Sequence, residues 1–455
     1  MTSKIWNWGY VLLICLCLMA CSSDDDNTPP PPAEPEIDYV VMLYGCGGGN
    51  LDAQLMYNLE QLEGYGYSSK VRFTGLVKYS STFQGDEDTE GTRLYNMTEN
   101  GLVDEKIYDS KYRLDNPDHI ADFIKSTKER LPAKKYILIL WNHGGEFGFW
   151  DQPLGWSDYA ETRGLVMDDN CTENGITSAI SIFELEEGLK RSGVKLDMVY
   201  WDVCLMNMIE NIYQIKDYTN YVMGAAHVTP GIGGHYTLLM DVLENHADIP
   251  SAMKEYIPAT ILHWKDVVGD TPADLALIDM NKIDATVARF KDVSDGFISM
   301  KRELKEEVGS QQELSFDYYM YYTRYQFNQD GSEGSTDMVS FVRALGNNML
   351  DGGLSAKIAK FSKAMDDMIL VRGGIGLQEY MSNYSLGLCV VTKDQYEREY
   401  ESIGGGEAPK GLSITYPLLH FAQATGWHNF LKINDWRPVK WNSETEEFEE
   451  DVILY

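Results

Sequence analysis

The sequence predicts an α/β fold: a mostly parallel sheet with helices on both faces, extended by a C-terminal α/β region. Two observations carry that expectation. From Ile37 onward short β-rich runs alternate with helical patterns, and most of those runs are almost continuously apolar. A strand covered on one face alternates polar and apolar residues, whereas one covered on both faces is apolar throughout. Strand-helix-strand alternation favours parallel neighbours, because each crossover helix packs back onto the sheet.

Taken in order, the β-rich runs cover residues 39–44, 71–77, 136–141, 196–201 and 221–225. Between them lie helical patterns over residues 120–130 and after Ser181. There Ser181-Ile182-Phe183-Glu184 reads as a capping box that opens a stripe of Ile182, Leu185 and Leu189 and closes before Gly193. No repeat of 20 to 50 residues is visible. Gly45-Cys46-Gly47-Gly48-Gly49 lacks the spacing and the lysine of a phosphate loop and reads as a plain turn.

The N-terminus stands apart from this pattern. Lys4 precedes an apolar run over residues 10–20, shorter than the roughly 20 residues a bilayer span needs. Residues 1–20 therefore read as an export signal. Leu18-Met19-Ala20-Cys21 resembles a bacterial lipobox, which makes Cys21 the expected lipidation site and the cell envelope, in particular the outer membrane, the expected location. The acidic run Asp24-Asp25-Asp26 and Pro29-Pro30-Pro31-Pro32 make residues 21–36 a stiff tether, reminiscent of lipoproteins exposed at the surface. A secreted chain with a disordered, unlipidated tail is the alternative. The remainder divides into a main α/β domain over residues 37–290 and a C-terminal region over residues 291–455 packed on it.

Among 455 residues, 38 basic against 70 acidic side chains leave a net charge of −32. Nucleic-acid binders carry basic surfaces, so nucleic acid is excluded as a partner. With 44% hydrophobic residues, the chain is globular rather than disordered. Of seven cysteines, four remain once the leader is removed and Cys21 is acylated: Cys46, Cys171, Cys204 and Cys389. Four scattered cysteines do not build a disulfide framework in a domain of this size, which leaves thiols available for chemistry.

In parallel α/β sheets, active sites lie beyond the C-terminal ends of the strands. After the third run comes Asn142-His143-Gly144-Gly145, and after the fourth comes Asp202-Val203-Cys204. Apolar spacing at Leu205, Met208, Ile209 and Ile212 predicts a helix opening at Cys204, whose dipole would lower the thiol pKa. Alone, His143 is an ordinary loop residue and Cys204 an ordinary small hydrophobe. At corresponding strand ends they form a nucleophile and a base, the machinery of acyl transfer.

These residues resemble the clostripain-like cysteine peptidases, a family with a caspase-like sheet, from about Tyr39 to about Leu431. The similarity is carried by Leu131-Pro132-Ala133-Lys134-Lys135-Tyr136 leading to Trp141-Asn142-His143-Gly144-Gly145, and by Asp202-Val203-Cys204-Leu205-Met206 with Glu210 beyond it. Asn50-Leu51-Asp52, Met167-Asp168-Asp169, residues 411–417 and Trp427-His428-Asn429-Phe430-Leu431 add to it in the same order. The resemblance implies Cys204 as nucleophile, His143 as general base, and the backbone N–H groups of Gly144 and Cys204 as oxyanion donors. It also implies Asp202 in a pocket for Arg or Lys before the scissile bond, against the simpler reading that Asp202 bonds its own loop.

The chain departs from the family at Ala225-Ala226-His227, where an acidic or amide residue is expected. Relatives often cut themselves between His and Cys. Here Lys190, Arg191 and Lys195 belong to the predicted helix or its end, which leaves Arg163-Gly164 as the candidate bond. No cofactor is expected; calcium is the one ion the resemblance admits, although no EF-hand spacing is present. The expectation is an endopeptidase acting on protein or peptide substrates after Arg or Lys. The alternative is a non-catalytic surface lipoprotein using the aromatic stretch from Phe316 to Phe327 to bind peptide or glycan.

Overall fold

A computed structural model describes residues 36–48, 50–80, 83, 91–109, 111–144, 165–173, 176–306, 336–347, 352–376, 387–390, 416–431 and 439–450. The export signal, Cys21, all of the tether but Glu36, Arg163 and the aromatic stretch lie outside the described residues.

In chain order the first half runs β1 (Ile37–Cys46), α1 (Asp52–Tyr65), β2 (Val71–Lys78), β3 (Thr92–Thr98), β4 (Gly101–Tyr108), α2 (Pro117–Arg130), β5 (Ala133–Trp141), β6 (Leu165–Glu173) and β7 (Ile176–Ile180). Next come α3 (Ile182–Ser192), β8 (Leu196–Asp202), α4 (Ile209–Gln214), β9 (Thr219–Gly224), α5 (Tyr236–Asn245), α6 (Ile249–Val268), β10 (Ala273–Asp279) and α7 (Ile283–Glu306). The C-terminal part adds β11 (Thr336–Asp337), α8 (Met338–Asn347), α9 (Gly352–Met368), β12 (Ile369–Ile375), β13 (Cys389–Val390), α10 (His420–Thr425) and α11 (Trp427–Leu431), then a hairpin of Val439–Asn442 and Glu447–Glu450.

The main sheet has the order β12-β10-β9-β8-β5-β1-β2-β3-β4. Its centre, β9-β8-β5-β1-β2, is parallel, and each of these five strands contains one of the five apolar runs. The flanking strands β3, β4, β10 and β12 are antiparallel and carry no such signal in the reading above. Edge strand β4 has an exposed middle, so its residues have no need to be apolar, whereas β10 is buried from Ala273 to Ile278 and its short apolar stretch Leu275-Ala276-Leu277-Ile278 lies outside the five runs.

Burial on both faces follows from the period of two along each strand. Val40, Met42, Tyr44, Leu138, Leu140, Val199 and Trp201 pack with Ile120 and Ile124 of α2 and with Leu185 and Leu189 of α3. On the other face Tyr39, Val41, Leu43, Ile137, Ile139, Met198 and Tyr200 meet α1, α5 and α6 through Leu55, Leu239, Ile257 and Trp264. Each such side chain contributes about 1.5–3 kcal/mol by leaving water.

The helices start where local chemistry says they should. Asn116 caps α2 by accepting the Asp118 N–H, with Pro117 at the first position. The expected capping box opens α3: Ser181 Oγ accepts the Glu184 N–H at 3.2 Å and Glu184 Oε2 accepts the Ser181 N–H at 2.7 Å. Left-handed Gly193, at φ 63°, ends it.

One polar contact crosses this framework. Lys78 at the end of β2 donates to Asp168 of β6 at 2.6 Å and to the Tyr112 carbonyl at 3.0 Å, and both charged side chains are fully buried. Removing one partner strands the other charge in a low-dielectric interior. Asp168→Ala should therefore destabilise the fold by about 3–5 kcal/mol in chemical denaturation, well beyond the effect of breaking the exposed Lys363–Asp367 pair.

Candidate active site

Register decides the site. Trp141 and Asp202 are the last paired residues of β5 and β8, so His143 and Cys204, each two residues further on, leave the sheet at one rim. Gly144 closes the gap between them. A Cβ built on it would lie 2.1 Å from the Cys204 carbonyl oxygen and 3.1 Å from the Cys204 nitrogen, so only glycine allows this approach. Gly144 also forms a β-bridge with Leu165.

His143 is partly exposed, and its Nε2 lies 3.1 Å from Asn50 Oδ1. Asn50 holds a left-handed conformation at φ 82°, which costs a non-glycine residue about 1 kcal/mol or more. Asn50 belongs to the Asn50-Leu51-Asp52 stretch of the resemblance, which implies no role for it. The residue type was the available signal, since Asn tolerates this conformation better than most. Asn142 anchors the turn by donating to the carbonyls of Cys46 at 2.6 Å and Gly48 at 2.9 Å.

The helix expected to open at Cys204 starts five residues later, as α4. Leu205 sits at φ 62°, outside the right-handed helical region, and Met208 bridges to Cys389 instead. The dipole of this helix therefore does not act from Cys204 as expected. Burial pushes the Cys204 thiol up from its ordinary value, with a smaller upward push from the Asp202 and Asp274 carboxylates. The Sγ–H points to the Thr229 carbonyl at 3.6 Å.

Asp202 is 3% exposed. Its Oδ2 accepts the Gly234 N–H at 2.8 Å and the Tyr236 hydroxyl. Its Oδ1 is buried and has no hydrogen-bond partner among the described residues. The partners of Oδ2 lie 32 and 34 residues beyond Asp202, so the bonds reach the segment leading into α5 and not the residue's own loop. Burial raises its pKa from 3.8 to about 6, against the lowering effect of Tyr236 and Gly234. A folded-state value above the unfolded one means that the group costs stability as pH rises past 3.8, on the order of 3 kcal/mol at neutral pH.

The segment after Cys204 is held from the C-terminal part of the chain. Tyr416 donates to Glu210 Oε1 at 2.7 Å, the Cys389 N–H to the Asn207 carbonyl at 2.9 Å, and the His420 N–H to Gln214 Oε1 at 3.0 Å. The Trp427 motif is packing: Trp427 is fully buried against Phe290, Phe341 and Phe430. Lys190 and Arg191 lie in α3, where both pair with Glu187. No group of three or more His, Cys, Asp or Glu side chains among the described residues is arranged to hold a metal ion.

Comparison with known proteins agrees with this geometry. A model of the clostripain family of C11 peptidases matches residues 67–436. Clostripain of Hathewaya histolytica is 27% identical over 253 residues, covering 49% of this chain and 47% of the relative, so the chain spans about half the length of that curated relative. The secreted C11 cysteine protease "iotapain" of Bacteroides thetaiotaomicron superposes with a TM-score of 0.57 at 16% identity, over 86% of this chain and 99% of its own. A secreted C11 cysteine protease of the same organism, solved with an irreversible peptide inhibitor, gives 0.58 at 12% identity over 86% and 99%. An inactive zymogen C11 protease of Parabacteroides distasonis gives 0.55 at 13% identity over 87% and 99%. At these identities the likeness establishes the fold, which is the caspase-like one expected.

Gly144→Ala should force the Cys204 segment aside, destabilising the protein by about 1–3 kcal/mol and changing the rate at which iodoacetamide alkylates Cys204. Unchanged alkylation and melting would mean that Gly144 does not lie where described.

Proposed function

The chain belongs to the clostripain family, and from that premise we propose that it is a cysteine endopeptidase that cleaves after Arg or Lys through Cys204 and His143. The contact of Gly144 with the Cys204 backbone, at the rim shared by β5 and β8, carries this reading. Because burial keeps Cys204 in its thiol form at rest, His143 must take the Sγ proton as the sulfur attacks the peptide carbonyl. The resulting oxyanion is held by the Gly144 and Cys204 N–H groups. Collapse of this intermediate breaks the C–N bond, and His143 returns the proton to the departing amine. Water, deprotonated by His143, then hydrolyses the thioester and regenerates the thiol. Asn50 keeps the imidazole turned toward this work through its 3.1 Å contact.

Asp202 supplies selectivity in this proposal, because a desolvated carboxylate oxygen without a partner attracts a guanidinium or ammonium group. Self-processing at Arg163-Gly164 fits the same site: Leu165, two residues after Arg163, is bridged to Gly144. Residues 1–20 act as leader and Cys21 as the acylated anchor that holds the enzyme in the cell envelope, as an outer-membrane lipoprotein acting on protein or peptide substrates.

The decisive experiment is hydrolysis of Arg- and Lys-amide substrates by the purified chain. Turnover should vanish in Cys204→Ala and fall at least a hundredfold in His143→Ala; retained turnover in both would reject the dyad. The Cys204→Ala protein should also stay intact where wild type is nicked with a new N-terminus at Gly164.

Selectivity has its own pH signature. Asp202 ionises as pH rises through about 6, while an Arg side chain stays charged throughout. The kcat/KM ratio of an Arg substrate to its neutral citrulline analogue should therefore climb across that range, cancelling any titration that the two substrates share. Asp202→Asn should flatten the climb and lower the ratio about a hundredfold at pH 8. An unchanged ratio would place the pocket elsewhere.

A further inference from the structure

Where β9 ends, its pairing with antiparallel β10 ends too: Gly224 and Ala276 form the last pair. Two residues further along, Ala226 leaves the sheet and Asp274 of β10 occupies the position that would have faced it. Asp274 does so with its side chain. Its Oδ2 accepts the Ala226 N–H at 3.1 Å and its Oδ1 accepts the His227 N–H at 2.7 Å, both inside the protein, with Asp274 2% exposed. The opposite edge of β10 remains in the sheet there, paired from Asp274 to Gly374 of β12, so the carboxylate stands on a fixed base.

The segment that Asp274 holds is the one that shapes the nucleophile turn. The Leu205 N–H donates to the His227 carbonyl at 2.9 Å and the Asn207 N–H to the Ala225 carbonyl at 2.9 Å. Asn207 Nδ2 donates to the Gly224 carbonyl at 2.7 Å, and Thr229 Oγ1 to the Val203 carbonyl at 3.2 Å. The Cys204 thiol itself points to the Thr229 carbonyl. Leu205 needs this grip, since a left-handed leucine costs about 1–3 kcal/mol and persists only where its surroundings impose it. Residues 224–229 are thus the mould for residues 203–207, and one buried carboxylate fixes the mould.

We propose that Asp274 is the positioning residue of the nucleophile, holding residues 226 and 227 so that the strained turn at Leu205 presents Cys204 Sγ to the substrate. It touches neither the substrate nor the sulfur and acts through two backbone N–H groups. The chemistry requires a carboxylate: it offers an acceptor oxygen to each N–H, whereas an amide of the same shape offers one acceptor and turns a donor against the other N–H. Leaving a buried N–H unsatisfied costs about 1–3 kcal/mol, enough to let the turn relax.

The proposal rests on Cys204 being the nucleophile, and the test separates the two. In Asp274→Asn, rates are referred to the number of folded sites, counted by alkylation of Cys204 and mass spectrometry. Per site, kcat should fall at least tenfold while KM stays within about twofold, because substrate contacts are intact and only the reacting sulfur is misplaced. Unchanged or raised kcat overturns the proposal. A rise is what a purely electrostatic role demands, since removing a negative charge near Cys204 favours the thiolate. Loss of activity fully explained by fewer folded sites overturns it as well. A second measurement stands even if the variant does not fold: in the wild-type protein the amides of Leu205, Ala226 and His227 should exchange hydrogen as slowly as those of β8, and exchange at the rate of exposed loops overturns the clamp. Turnover surviving in Cys204→Ala would instead count against the dyad itself.

Discussion

The parallel pairing of β5 with β8 is the constraint from which the rest follows. Hydrogen bonding fixes Trp141 opposite Asp202, and each chain then has two residues in which to reach the rim. Sixty residues of sequence separation become a contact between Gly144 and the Cys204 backbone. That register is itself enforced by burial on both faces: Ile137 and Ile139 point to one helical layer and Leu138 and Leu140 to the other, so a slip by one residue would invert every contact.

The site built on this frame is held by surroundings more than by its own local preferences. Asn50 and Leu205 both occupy left-handed conformations, one beside the imidazole and the other beside the thiol. Asp202 and Asp274 are carboxylates buried at the C-terminal side of the sheet, where desolvation opposes their charge. Each of these choices lowers stability locally and is offset by the large apolar layers around it. Strain and buried charge gathered at one rim, beneath a conventional core, are what a preorganised catalytic centre requires.

Legibility in the sequence divided along the same line. All five central strands were visible, since a strand covered on both faces is apolar along its length, as residues 136–141 are. The capping box at Ser181 was visible because capping depends on residues three positions apart. The start of α4 was misread: Leu205, Met208, Ile209 and Ile212 have helical spacing, yet Leu205 is bonded to His227 and Met208 bridges to Cys389, two contacts from distant parts of the chain. Spacing reports which residues turn inward. It does not report which of two backbone conformations the neighbours impose.

From its residues alone this protein declared a doubly covered parallel sheet with a histidine and a cysteine just beyond the ends of two of its strands, because hydrophobic period and the succession of runs along the chain are local or nearly local properties. Only the folded chain decided that Asp202 keeps one oxygen unbonded, that Asn50 meets the imidazole, and that the carboxylate behind Ala226 comes from β10. These depend on distances between segments tens of residues apart, and such distances are set by packing.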